Sequence, residues 1–232
     1  MPLLGYTLLP PTRTPASWPA YTATPLLTVD SSPAFSPALL HLKIIGPACY
    51  ETPVGSLVCL GQVRNTLDTP VEQIVVEVQL VTSNGTALAS REVFVSRHLI
   101  PAGSSGPYRV LFEEIPAGYA AAFPQVKNGQ VLASMSSQMA ELTLRQVSGR
   151  FVANQYQIAM SMINRTLLPI ERISITMVLT SDEGAVTGFR QVTLDRELRP
   201  GEALSLNLKV IPQGPSTVGY EVFAEGFLAV SK

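Results

Sequence analysis

Charge is scarce in this chain of 232 residues. Asp, Glu, Lys and Arg make up 14% of it, against about a quarter in an ordinary globular protein. The balance is close to neutral at −1, and no basic stripe stands out along the sequence. Nucleic acid and acidic lipid are therefore not expected as partners. Cysteine is nearly absent, with Cys49 and Cys59 alone, and the histidines are His41 and His98. A zinc site asks for four ligands, so no metal or cofactor is expected. No run approaches the ~20 apolar residues of a membrane span. The start, MPLLGYTLLPP, lacks the basic stretch of a secretory signal; if the protein is exported, its signal is expected upstream of this start or removed.

Proline, by contrast, is plentiful at 19, which leaves little room for helices of ordinary length. Residues 1–40 hold eight prolines, six threonines and two charges, Arg13 and Asp30. Such composition favours extended chain and predicts a Pro/Thr-rich linker. Its apolar islands LLGYTLL, PLLTV and AFSPALL also fit a docking segment that adds to a sheet edge.

From residue 41 onward the texture is short alternating runs bounded by turn residues. LHLKII (40–45), SLVCLGQVRN (56–65), VEQIVVEVQLVT (71–82), LASREVFVSRHL, PYRVLFEEI and GYAAAFPQVKNGQVLASM read as strands. Ile74, Val76, Val78 and Leu80 share one face of the third, and Tyr108, Val110 and Phe112 share one face of a later one. NG at 84–85 predicts a tight hairpin turn. The order then repeats ninety-nine residues on: AELTLRQV (140–147), NQYQIAMSMIN (154–164), and ERISITMVL with Ile173, Ile175, Met177 and Leu179 in phase. Asn65 pairs with Asn164, Pro70 with Pro169, Glu72 with Glu171, Gly85 with Gly184 and Pro101 with Pro200, one residue being lost in the turn after 101. Each copy is the size of a sandwich of two antiparallel sheets. The expected fold is all-β: two tandem immunoglobulin-like β-sandwiches, 41–137 and 138–232, behind the 1–40 segment.

The shared pattern V-x-N-x-x-x-x-P-V-E-x-I-x-V-x-V-x-L, a Gly hairpin and a Pro-Gly turn resembles the bacterial FxLYD-type immunoglobulin-like domain over about 41–232. The name-giving positions fall on Val78, Leu80, Val81 and Thr82 in the first copy and on Met177, Leu179, Thr180 and Ser181 in the second, with the leucine kept in each. The resemblance implies an extracytoplasmic module of an envelope protein with no family-wide catalytic residues. For Cys49 and Cys59 the residues alone allow two buried thiols or a disulfide between neighbouring strands; the extracytoplasmic setting implied by the resemblance favours the disulfide.

A search for catalytic equipment finds little. GSSG (103–106) is not a nucleophile elbow and reads as a turn. His98 before it reads as a surface residue. NGQ and DEGAVTG lack the spacing of a phosphate loop. SDEG (181–184) puts two carboxylates on a hairpin tip, too few for calcium. Glu113 and Glu114, adjacent in a strand, would face opposite ways. NGT and NRT fit the glycosylation sequon, as chance would also have it. No enzyme is expected. The leading expectation is a structural or interaction module, with a protein partner or self-assembly through residues 1–40; the alternative is an accessory ligand-binding protein, for polysaccharide for example. An exposed coplanar pair among Tyr108, Tyr119, Phe123, Tyr156, Phe189, Tyr220, Phe223 and Phe227 would favour that alternative.

Overall fold

A computed structural model describes residues 42–132, 138–214 and 217–229; the expectations for residues 1–40 lie outside them. These residues belong to one compact unit spanning Phe35–Lys232. They contain no helix and form fourteen strands: β1 (Leu42–Glu51), β2 (Leu57–Asn65), β3 (Val71–Val81), β4 (Ala87–Phe94), β5 (Leu99–Ile100), β6 (Ser105–Phe112), β7 (Ala121–Val131), β8 (Met139–Glu141), β9 (Thr143–Val152), β10 (Gln155–Ile163), β11 (Ile170–Thr180), β12 (Val186–Leu194), β13 (Ala203–Val210) and β14 (Gly219–Leu228). All pairings are antiparallel. The first sandwich packs sheet β1-β2-β6 on a four-stranded sheet in which β3 pairs with β4, β5 and β7; the second packs β13-β10-β9 on β12-β11-β14-β8.

Each sandwich has its own core, made by the alternating aliphatics. Leu57, Cys59, Val63, Tyr108, Val110 and Phe112 meet Ile74, Val76, Val78 and Leu80 in the first. Ile158, Met160 and Met162 meet Ile173, Ile175, Met177 and Leu179 in the second. A third cluster lies between the sandwiches: Val58 and Leu60 from β2 meet Val178 of β11 and Val186 of β12. Four sheets are thus stacked in the order β4-β3-β7, β1-β2-β6, β12-β11-β14-β8 and β13-β10-β9, with apolar side chains in all three gaps.

The repeated asparagines hold equivalent corners. Asn65 is wholly buried. Its amide donates to the Thr69 and Ile100 carbonyls at 2.8 and 3.0 Å, and its Oδ1 accepts the Leu67 amide at 3.0 Å. Asn164 does the same with Leu168, Leu198 and Thr166. The side chain thereby replaces backbone partners for a loop leaving the second strand. The repeated prolines close each sandwich by accepting from the end of its last strand, Leu132 N to Pro70 O at 3.0 Å and Ala229 N to Pro169 O at 2.9 Å.

Several expectations need correction. β1 runs on to Glu51 instead of stopping at 45: Gly46, at φ 87°, takes up an irregularity between Ile45 and Ala48, after which pairing with β2 resumes. At the 84–85 turn only Gly85 has positive φ, because the loop has three residues between Thr82 and Thr86, whose backbones bond at 2.9 Å; the two-residue turn with both φ positive occurs instead at Ala153–Asn154. Glu113 and Glu114 lie beyond the end of β6, in a bend. The lost residue falls earlier than the letters suggest. Gly103 N donates to Asn65 O and Gly201 N to Asn164 O, so Gly103 matches Gly201 and Pro101 matches Arg199, not Pro200. The extra residue of the first copy therefore lies in its β4–β5 loop.

Candidate functional site

That β4–β5 loop carries Ser96, Arg97 and His98, and it reaches across to the second sandwich. Arg97 is 2% exposed. Its Nη1 donates to Ser104 Oγ at 2.7 Å and to Ser105 O at 2.8 Å, and its Nη2 to Glu141 Oε1 at 2.6 Å. The guanidinium lies 4.3 Å from the centre of the Phe223 ring. Burial pulls the Arg97 pKa down, and Glu141 and then Glu225 act against that. The next residue grips β14: the His98 backbone amide donates to Glu225 Oε1 at 2.8 Å, and Nδ1 lies 2.9 Å from the same oxygen. This hydrogen bond raises the His98 pKa, more than partial burial and the Arg172 charge lower it. His98 also meets the Phe227 ring edge-on at 5.6 Å; it lies on the surface as expected, its side chain 52% exposed, while gripping the second sandwich.

Around this clamp the seam is closed by hydrogen bonds between sheets. Tyr50 OH donates to Val186 O at 2.8 Å, Gln62 Nε2 to Glu221 Oε2 at 3.1 Å, and Gln191 Nε2 to Ser96 O at 2.8 Å. Arg97 Nε and Glu225 Oε2 are buried without a partner, so desolvated charge is held in the seam together with its apolar cluster.

The disulfide is present. Cys49 and Cys59 are direct cross-strand partners on β1 and β2, with Cα atoms 4.0 Å apart and a bond between the sulfurs. Its position matters: Tyr50 on β1 and Val58 and Leu60 on β2, its immediate neighbours, all face the second sandwich. The bond ties together the two strands that present this surface.

Among the depressions that open at the seam, two stand apart in their lining. One, of about 660 Å³, is bordered by Glu72, Phe94, Arg97, His98, Met139 and Phe227. The other, of about 290 Å³, has Val58, Leu60 and Phe189 in its floor and Arg109, Arg190 and Lys209 around it.

Other candidates resolve into structural roles. Ser104 of the GSSG turn accepts from Arg97. Asp182 at the SDEG tip accepts from the Glu183 amide, and among the described residues no three His, Cys, Asp or Glu side chains converge as metal ligands would. Asn164 of the NRT sequon is buried and its amide fully engaged. Among the aromatics, Tyr108 is wholly buried and Phe123 is exposed. The described ring pairs Phe151–Tyr156 and Tyr156–Tyr220 are tilted by 54° and 52°, not coplanar. His41 lies outside the described residues. Arg97 and Glu225 were missed in the sequence, where nothing marks them, because the letters place the length difference between the copies after residue 101 and not in this loop.

No protein-family model matches the chain, and no curated protein matches it. Solved structures that align with it include the transglutaminase of red sea bream, at 16% identity over 74% of this chain and 26% of that one, with a TM-score of 0.24. Another is a β-glucuronidase of glycoside hydrolase family 2, at 9% identity over 74% and 22%, with a TM-score of 0.25. The chain spans about a quarter of the length of these structures, and at those scores neither bears on what it does.

Proposed function

We propose that this chain is a non-catalytic, extracytoplasmic structural or interaction module of a bacterial envelope protein or surface assembly, built from tandem FxLYD-type sandwiches. The observation that carries the reading is the buried seam stapled from behind by Cys49–Cys59. A cross-strand disulfide persists outside reducing compartments. A seam with an apolar centre and a buried, hydrogen-bonded Arg97 makes the two sandwiches one rigid body, as a spacer or presenting element requires. The resemblance in V-x-N-x-x-x-x-P-V-E supports the same setting.

Intact producing cells treated with a membrane-impermeant amine reagent, followed by mass measurement of the unreduced protein under thiol alkylation, test this reading. The expected result is a labelled protein with no alkylated thiol. A protein shielded from the reagent and alkylated at both cysteines would overturn it.

A further inference from the structure

The charges of this chain are sorted by sheet. β9, β10 and β13 contain Arg145, Arg150 and Lys209 and no Asp or Glu. The sheet packed behind them, β12-β11-β14-β8, carries Glu141, Glu171, Glu221 and Glu225 against Arg172 and Arg190. The all-basic sheet is also an outermost layer of the stack, so its outer face meets solvent.

Register places two of these three basic groups, Arg150 and Lys209, in a row on that face. Gln157 on the central strand pairs with Arg150 on one side and Lys209 on the other. The three therefore form one cross-strand row, with Arg150 and Lys209 about 10 Å apart at the usual strand spacing. Beyond Lys209 the row passes over the sheet edge. Arg190 Nη1 donates to the Lys209 carbonyl at 2.7 Å, and Arg190, Lys209 and Arg109 border the 290 Å³ depression at the seam. Arg109 comes from the first sandwich, where it pairs with Leu60. The line thus runs Arg150, Lys209, Arg190, Arg109 across both sandwiches. None of the four has a carboxylate ion-pair partner among the described residues.

The surface beside the row is lined by small and polar residues. Ser148, Gly149, Gln157, Ala159 and Asn207 line a depression of about 250 Å³ with Arg150 at its edge. Small side chains on a sheet leave room for a chain to lie across it. Amide and hydroxyl groups suit sugar hydroxyls, and no aromatic side chain is among the residues that line this depression, whereas single-stranded nucleic acid readers stack bases on aromatic rings.

We propose that this face binds a linear acidic polysaccharide, lying along the Arg150–Lys209–Arg190–Arg109 line. The inference goes beyond the module reading and holds in either compartment, since it rests on the charge and shape of one face. Counterion release drives such binding and makes it steeply salt-dependent.

The test is calorimetric titration of the full chain with polygalacturonate, at several salt concentrations, beside neutral dextran and an oligothymidylate of equal charge. Binding to polygalacturonate is expected, with log affinity falling against log salt at a slope of about 3 for about four charges engaged, none to dextran, and weaker binding to the oligothymidylate. The triple variant Arg109→Glu, Arg150→Glu, Lys209→Glu should lose at least about tenfold in affinity. The control Lys43→Glu, Arg91→Glu, Lys127→Glu, with the same change in net charge, should bind as the native chain does. Circular dichroism checks both folds, and Gln replaces Glu at the same three sites if the first variant unfolds. No binding at low salt, equal loss in the control, or tighter binding of the oligothymidylate would each overturn the proposal.

Discussion

Strand β2 and its counterpart β10 occupy the same place in two copies of one sandwich, yet they are buried differently. In β2 seven successive residues, Leu57–Val63, are buried. In β10 burial alternates, with Ile158, Met160 and Met162 inside and Ala159 exposed. The same holds across the seam. β11 is buried without a break from Ile173 to Leu179, whereas β3 alternates. The core-facing residues are apolar in all four, so the fold does not distinguish them. The other face does: Val58, Leu60 and Gln62 on β2 stand where β10 has Gln157, Ala159 and Ser161, and Ser174, Thr176 and Val178 on β11 stand where β3 has Val75, Glu77 and Gln79. A strand covered on both faces reads as a continuous apolar or small run, and one half-exposed alternates. The lesson is that the second faces decide how far the stack extends. One pair of faces is apolar at its centre and closed; the outermost faces carry Glu77 and Gln79 on β3 and Gln157 and Ser161 on β10, with Phe94 and Phe123 exposed on the first of them.

Substituting matched residues on closed and open faces breaks the comparison most directly. Val178→Asp would bury a carboxylate in the seam and should cost about 4–5 kcal/mol or part the sandwiches; Gln79→Asp at the matching open position should stay within about 0.5 kcal/mol, both by urea denaturation. Next comes Arg97→Ala, which removes four contacts and the buried positive charge that Glu141 and Glu225 act on. It should cost about 3–5 kcal/mol, while Arg196→Ala, in the corresponding loop of the second sandwich, where Arg196 pairs with Glu202 on the surface, should leave the thermal midpoint unchanged within error. The shared parts sharpen the comparison from the other side: Asn65→Ala and Asn164→Ala should cost alike, about 2–3 kcal/mol each, because each removes two donated bonds and an accepted one from an equivalent buried corner.

The smallest expected effect is one of pH at His98. Its pKa is raised by Glu225, against the Arg172 charge; Glu72 borders the same cleft and Phe227 packs on the ring. A raised native pKa means stabilisation that is fully present below the unfolded value of about 6.5 and lost as pH rises through the native value. His98→Ala should therefore lower the thermal midpoint more at pH 5.5 than at pH 9. An equal drop at both would show that the Glu225 contact does not depend on charge.

Much of this was legible in the letters, for physical reasons that differ by element. Ile74 to Leu80 and Ile173 to Leu179 revealed their strands because period-2 alternation leaves a trace in any one-sided strand. Asn65 and Asn164 stood out because no other side chain donates twice and accepts once in that corner. The disulfide was open from the residues alone, since spacing does not reveal register. Three features escaped. The positive φ of Gln73 and Arg172, which bulges both third strands at equivalent points, has no Gly or Asn to announce it. The Pro101–Pro200 match was a coincidence of letters, because hydrogen bonding to the Asn65 and Asn164 carbonyls, not proline, sets the equivalence. The line from Arg150 to Arg109 draws on strands far apart in sequence, so a neutral net charge concealed it. Within the seam, LVCLGQV already carried apolar residues on both parities, the one sign that this strand has two covered faces.

The central claim is that β2 and β11, each covered on both sides, fix the two sandwiches as a single body. The most direct measurement is the distance distribution between spin labels placed at Ser90 in the first sandwich and Ser205 in the second, in a cysteine-labelling background that keeps Cys49–Cys59 bonded. The account predicts one narrow distribution, unchanged between low and high salt, that broadens in Arg97→Ala. A broad distribution in the native protein would contradict it.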